Sequence, residues 1–361
     1  MPRLRITNCH IHTFTRAHVP KNYPHPAVNI FKSWPPLVRG ISWLLKLFGQ
    51  EALAETVDRL LRFQQAGAVA RQRTVFEAIR RQYPDNTRFV VLPMDMEFIG
   101  HGPTQATLAQ QHDELAALAG DDDFRGRVIA FTSVHPDRPG AADEVFRAID
   151  DLGFRGLKLY PRLGFPPDHP LLMDKVYPML QARGLPVMSH CSRGGVRGRH
   201  VTRSDADAWT DPAAFVPVLE RFPDLRVCLA HFGGAADWRA YVDEGIDPRD
   251  PQARAANWQV AIRDMITSGA YPNLWTDISY TLFHFDDNIP FLKLFLGGAD
   301  AGKAELLRAR VLFGSDFYMT RQEKLSERAV CFRLRNALGE DVFRQIAETN
   351  PEIWLGERAA V

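Results

Sequence analysis

The sequence predicts an α/β chain folded as one (β/α)8 barrel. Short apolar runs of strand character alternate with helical stretches along 361 residues, and the strands number eight. Such alternation implies a parallel sheet, and eight units in this length fit a closed barrel better than an open sheet. No G-x-G-x-x-G turn follows the first strand, which weakens the open, dinucleotide-binding alternative. Polar residues capable of chemistry also cluster at the C-terminal ends of the apolar runs, where such a barrel carries its active site.

The elements follow in order. Leu4, Arg5 and Ile6 lead into Asn8-Cys9-His10-Ile11-His12-Thr13, the first strand. A long insertion then occupies 14–87, with prolines at 20, 24, 26, 35 and 36, a helical stretch from Leu37 and a longer one from Glu51 to Gln82. An insertion of this length inside a compact chain usually has its own task, and a lid is the expectation. Seven further strands are expected at Arg88–Met96, Arg127–Val134, Arg155–Tyr160, Pro186–His190, Arg226–His231, Leu274–Ile278 and Val311–Asp316. Between and after them, helices are expected at Thr104–Ala119 (Thr104 as cap), Ala141–Leu152, Leu171–Arg183, Asp211–Phe222, Ala253–Ser268, Asn288–Leu296, Lys303–Arg308, Gln322–Leu338 and Asp341–Glu348. The whole of 1–361 reads as one domain, with 14–87 as its helical insertion.

Composition narrows the function. A 45% hydrophobic content supplies a large core. The net charge of +1, from 44 basic and 43 acidic residues without a basic run, speaks against a nucleic-acid partner. Cys9, Cys191, Cys228 and Cys331 lie far apart with no C-x-x-C, which disfavours thiolate metal sites and disulfides and suits a reducing cytoplasm. No apolar leader follows Met1, and the greasiest patch, Ile41 to Phe48, is short and interrupted by Lys46. It reads as a buried or lid helix rather than a membrane segment. A small-molecule substrate and a homodimer are the expected partners.

The chemistry-bearing residues close strands. Side chains alternate along a strand, so His10 and His12 share a face about 7 Å apart and can grip one metal ion if other ligands converge. Strand four carries Lys158, strand five ends on His190, strand six on His231 and strand eight on Asp316. Each of the last three could be an ordinary hydrogen-bonded strand end; the set together points to a site. Arg193, in the loop past His190, can clamp a carboxylate with paired hydrogen bonds or remain a solvated loop residue. Tyr160 could line the pocket, and Gly233-Gly234 lets backbone approach closely.

These positions resemble the amidohydrolase superfamily of metal-dependent (β/α)8 barrels, and most of all amidohydrolase family 2, which includes hydrolases, lactonases and non-oxidative decarboxylases. The likeness runs from His10 to the closing stretch Ile346–Gly356. It implies His10, His12, His190 and Asp316 as ligands of one divalent ion, with His231 beside it touching substrate or shuttling a proton. Three imidazoles and a carboxylate suit Zn²⁺, with Mn²⁺ or Fe²⁺ as alternatives. It implies hydrolysis of an amide, ester or lactone of a small, carboxylate-bearing substrate by water activated on the metal. In that scheme Asp316 takes the water proton and His231 helps polarise the carbonyl. The alternative in the same pocket is non-oxidative decarboxylation of an aromatic or unsaturated acid. Lys158 has three readings: a carboxylated bridge between two metals, an anchor for the substrate carboxylate, or a structural ion pair.

Overall fold

The computed structural model describes residues 4–23, 68–279, 285–298, 301–317 and 326–359, with a few isolated positions between 42 and 58. Its strands are short and wholly buried: β1 Thr7–Ile11, β2 Arg88–Val91, β3 Val128–Ala130, β4 Thr132–Ser133, β5 Leu157–Leu159, β6 Val187–Ser189, β7 Val227–Leu229, β8 Leu274–Asp277 and β9 Val311–Leu312. All pair parallel and in sequence order, β1-β2-β3 in one ladder and β4 to β9 in the other. Only Phe131 separates β3 from β4, and its N–H donates to the Val91 carbonyl at 3.1 Å. These two segments are therefore the single expected strand Arg127–Val134. The last strand returns to the first: Cys9 N–H donates to the Phe313 carbonyl and Asp316 N–H to the His10 carbonyl, both at 2.8 Å. The chain is a (β/α)8 barrel.

Alternation sorts the core into two layers. Residues facing the helices form the large outer core, which includes Val91, Leu157, Leu159, Val187, Leu229 and Val311. The alternate residues Cys9, Val90, Ile129, Phe131, Met188, Cys228, Trp275 and Leu312 pack together, with Trp354 and Leu355 from the C-terminal helix joining them. This second cluster is the barrel interior. Lys158 lies between Leu157 and Leu159 and hence on that inner face.

Several boundaries move for identifiable reasons. The ladder of β2 stops at Val91, two residues before Pro93, which has no N–H to offer. The helix expected from Thr104 begins at Leu108, capped by Thr107 in a reciprocal box with Gln110. The stretch expected as Ala253–Ser268 breaks at Asn257, whose side chain caps Trp258–Thr267. Helices at Arg203–Thr210 and Ala235–Glu244 were not expected. Of the 14–87 insertion, the structure describes a turn at Arg16–His18 and a helix at Gln72–Arg80, the end of the expected Glu51–Gln82 helix. Most of the helix expected from Leu37 lies outside the described residues, but Ser42, Trp43 and Leu47 within it are helical; of Ile41–Phe48, Ser42 is buried while Trp43, Leu47 and Phe48 are exposed. No helix among the described residues is long and apolar enough to cross a membrane.

Candidate metal centre

The strand ends converge. His10, at the end of β1, is fully buried; its Nδ1 lies 2.7 Å from Asp277 Oδ2, while its Nε2 is buried with no hydrogen-bond partner among the described residues. Just past β1, His12 donates from Nδ1 to the Leu92 carbonyl at 2.7 Å, because a carbonyl can only accept. Its Nε2 lies 3.9 Å from Asp316 Oδ1. His10, His12 and Asp316 each offer a ligand atom, all within 4.8 Å of one another, a group that could hold a metal ion. His10, His231 and Asp277 form a second such group.

His190 sits differently from the expectation. Its Nδ1 lies 3.1 Å from His231 Nε2 and its Nε2 lies 3.3 Å from the Gly194 carbonyl. The ring stacks on Tyr160 with centroids 4.1 Å apart. His190 thus joins the first group through His231, whose ring centroid is 4.8 Å from that of His10, rather than by direct convergence of its ligand atom. Gly195 makes this stack possible, since a Cβ there would meet the Tyr160 hydroxyl at 2.3 Å.

Backbone geometry also marks the site. Among the described residues, three non-glycine positions have left-handed φ: His231 at 69°, its neighbour Phe232 at 44° and Asp316 at 50°. Such conformations cost energy and concentrate at functional sites. The turn through His231 continues into Gly233 and Gly234, which pack against the backbone of Trp258 and Gln259 and against Ser192. The two glycines therefore seat one loop on another.

The electrostatics favour neutral imidazoles. Burial, followed by the nearby Lys158 charge, lowers His12 to about 3 and drives His10 and His190 well below the ordinary histidine value. Burial and then the neighbouring His10 do the same to His231. Burial raises Asp316, against the pull of Lys158, and lowers Lys158, against the pull of Asp277 and Asp316. The Lys158 ammonium is fully buried and its Nζ has no hydrogen-bond partner among the described residues. Metal ligation requires deprotonated donors, and neutral imidazoles beside a carboxylate fit a divalent ion.

Arg193 is engaged elsewhere. Its Nε lies 3.1 Å from Asp237 Oδ2, its Nη2 donates to the Ala256 carbonyl at 2.9 Å, and its guanidinium lies 4.1 Å from the Trp258 ring centroid. A substrate carboxylate would compete with the buried Asp237 for it. Conversely, Asp277 and Ser279 are at the site without having been expected there. Asp277 closes the buried strand Leu274–Asp277 just as His190 follows Val187–Ser189, and that shared strand-end position was the available signal.

The chain belongs to amidohydrolase family 2: the family model, described as Amidohydrolase, matches residues 8–356. Solved structures of the same fold include an uncharacterized TIM-barrel protein from Bordetella bronchiseptica, at 17% identity and a TM-score of 0.54 over 98% of this chain and 99% of that one. The 5-carboxyvanillate decarboxylase of Sphingomonas paucimobilis matches at 14% identity and 0.54, over 98% and 99%. A putative 2-pyrone-4,6-dicarboxylic acid hydrolase from Pseudomonas putida matches at 17% and 0.52, over 99% and 100%. Likenesses at these identities speak for the fold alone. The chain matches no curated protein.

Proposed function

We propose that this chain is a metal-dependent hydrolase acting on the carbonyl of an amide, ester or lactone in a small, carboxylate-bearing substrate. His10, His12, His190 and Asp316 would hold one divalent ion, most readily Zn²⁺. The observation that carries this reading is His10 Nε2, buried without a hydrogen-bond partner among the described residues on a ring whose other nitrogen is already engaged. A polar atom left in that condition is costly unless something binds it.

The ion, when bound, supplies Lewis acidity toward a carbonyl and lowers the pKa of water. The side chains do the rest. Asp316, whose proton affinity burial raises, is suited to take a proton from the attacking water and pass it to the leaving group. His231 stands between His10 and His190 and contacts the substrate. The Lys158 ammonium, buried without a hydrogen-bond partner among the described residues, is a point charge that a substrate carboxylate would meet. That same charge supports a second reading, non-oxidative decarboxylation of an aromatic or unsaturated acid held by its carboxylate.

Metal content comes first in the test, followed by two assays on metal-free and reconstituted protein: proton release from lactones and esters, and CO2 release from aromatic acids. The expected result is about one equivalent of metal and hydrolysis that disappears with chelator and returns with metal. CO2 release without hydrolysis would replace the first reading by the second. Failure to bind metal after reconstitution would overturn both.

A further inference from the structure

We infer that Asp277 is a positioning residue: it fixes the proton of His10 on Nδ1 and, through the Ser279 hydroxyl, the proton of His231 on Nδ1. The functional weight of this rests on the reading of both histidines as site residues. The proton order itself follows from hydrogen-bond geometry.

Asp277 is fully buried at the end of β8. Its Oδ1 accepts the backbone N–H of His231 at 3.0 Å, the backbone N–H of Ser279 at 2.9 Å and the Ser279 hydroxyl. Its Oδ2 faces His10 Nδ1. An ionised carboxylate only accepts, so His10 must carry its proton on Nδ1 and leave Nε2 bare. The short contact between Ser279 Oγ and Asp277 Oδ1 needs a proton between the two oxygens, and the hydroxyl supplies its only one. Ser279 Oγ is then an acceptor toward His231 Nδ1, 2.8 Å away. His231 must therefore also carry its proton on Nδ1 and present a bare Nε2. A neutral His190 can donate either from Nδ1 to His231 Nε2 at 3.1 Å or from Nε2 to the Gly194 carbonyl at 3.3 Å, and a bare His231 Nε2 selects the shorter of the two.

Two consequences follow. One carboxylate sets the tautomer of a ligand and of the residue beside it, as the carboxylate behind a metal-binding histidine commonly does for a single ring. In addition, a bare His231 Nε2 accepts rather than donates, so His231 does not polarise a carbonyl by hydrogen bonding.

The test reads tautomers directly, by long-range ¹H–¹⁵N correlation on metal-free protein labelled at histidine, with His10→Gln and His231→Gln spectra giving the assignments. The parent is expected to show both rings protonated on Nδ1. In Asp277→Asn, the three donors around Oδ1 keep the amide oxygen on that side, so the NH2 faces His10 and drives its proton to Nε2. Zn²⁺ affinity, measured by chelator competition, should then fall by roughly 10–100-fold. Ser279→Ala should release His231 alone, leaving the His10 tautomer in place and Zn²⁺ affinity within about threefold, below the loss expected for a ligand's hydrogen-bond partner. An Nε2-protonated His10 or His231 in the parent overturns the inference, even if the Asp277 variant does not fold. Parental Zn²⁺ binding with unchanged tautomers and affinity in both variants overturns it while sparing the metal reading. Nδ1 protonation in a parent that binds no metal sinks the metal reading and leaves the proton order standing.

Discussion

At the scale of single residues, position on a strand was the legible signal and partnership was not. His10, His12, His190, His231, Lys158 and Asp316 could be picked out because each interrupts an apolar run at or near a strand's C-terminal end. Which of them share a proton, and with whom, depends on contacts such as that between His10 and Asp277, 267 positions apart. Arg193 shows the opposite failure: a loop arginine looks free until its partner Asp237 is seen. The two kinds of residue should separate by experiment. His190→Ala is expected to remove most bound metal, whereas His231→Ala should keep the metal and lose activity; metal content of each variant, set beside its turnover, decides this. Arg193→Ala, by contrast, leaves the buried Asp237 without its cation and Trp258 without the charge over its ring. It should cost about 1–3 kcal/mol of stability, seen in denaturant midpoints. An increase in KM with no loss of stability would mean that the arginine serves substrate instead.

At the scale of elements, the sequence revealed the rhythm and missed the joints. Each joint is a side chain bonding to backbone that a periodicity cannot register, as Thr107 and Asn257 do as caps. The joint nearest the site is Asn8. Its Oδ1 accepts the N–H groups of His10 and Ser315, both at 3.2 Å, and its Nδ2 donates to Ser315 Oγ at 2.8 Å and the Tyr83 hydroxyl at 3.0 Å. Tyr83 in turn donates to buried Glu327 at 2.6 Å. Asn8 thus ties β1 to the segment that holds Asp316 in its left-handed turn. Gly314 permits the approach, since a Cβ there would lie 2.7 Å from that of His10. Asn8→Ala strands these groups, and about 1–3 kcal/mol should be lost for them. Metal binding should weaken with it, because His10 and Asp316 lose their common support. Calorimetric melting and metal titration of the variant check both parts; a variant that melts lower yet binds metal normally would show that the clamp serves the fold alone.

At the scale of the whole molecule, closing the barrel buries histidines in a way that makes the fold sensitive to acid. Burial is the first cause of the lowered proton affinity of His10, His12, His18, His112, His135, His190 and His231, with His12 at about 3 and His18 at about 4. His18 is held neutral by geometry as well, its Nδ1 accepting the Thr15 N–H at 3.0 Å. The sign follows from linkage. Below the ordinary histidine value of roughly 6.5 the unfolded chain takes up protons that the folded chain refuses, so the unfolded state gains as pH falls. Asp316 and Asp237 act in the other direction, because their raised values let the folded chain bind a proton first, but they are two groups against seven. Metal-free protein should therefore hold its stability above about pH 7 and lose it steadily between about pH 6.5 and 4, at up to about 1.4 kcal/mol per pH unit for each proton taken up. Urea midpoints at pH 7.5, 6.0 and 5.0 measure this loss. Saturating Zn²⁺ should lift the curve, since an ion that binds only the folded chain stabilises it by mass action. The lift should shrink toward pH 5, where protons compete for the same imidazoles. A midpoint that stays flat down to pH 5 would show that these histidines exchange protons freely in the folded barrel, and the neutral imidazoles described above would then be wrong.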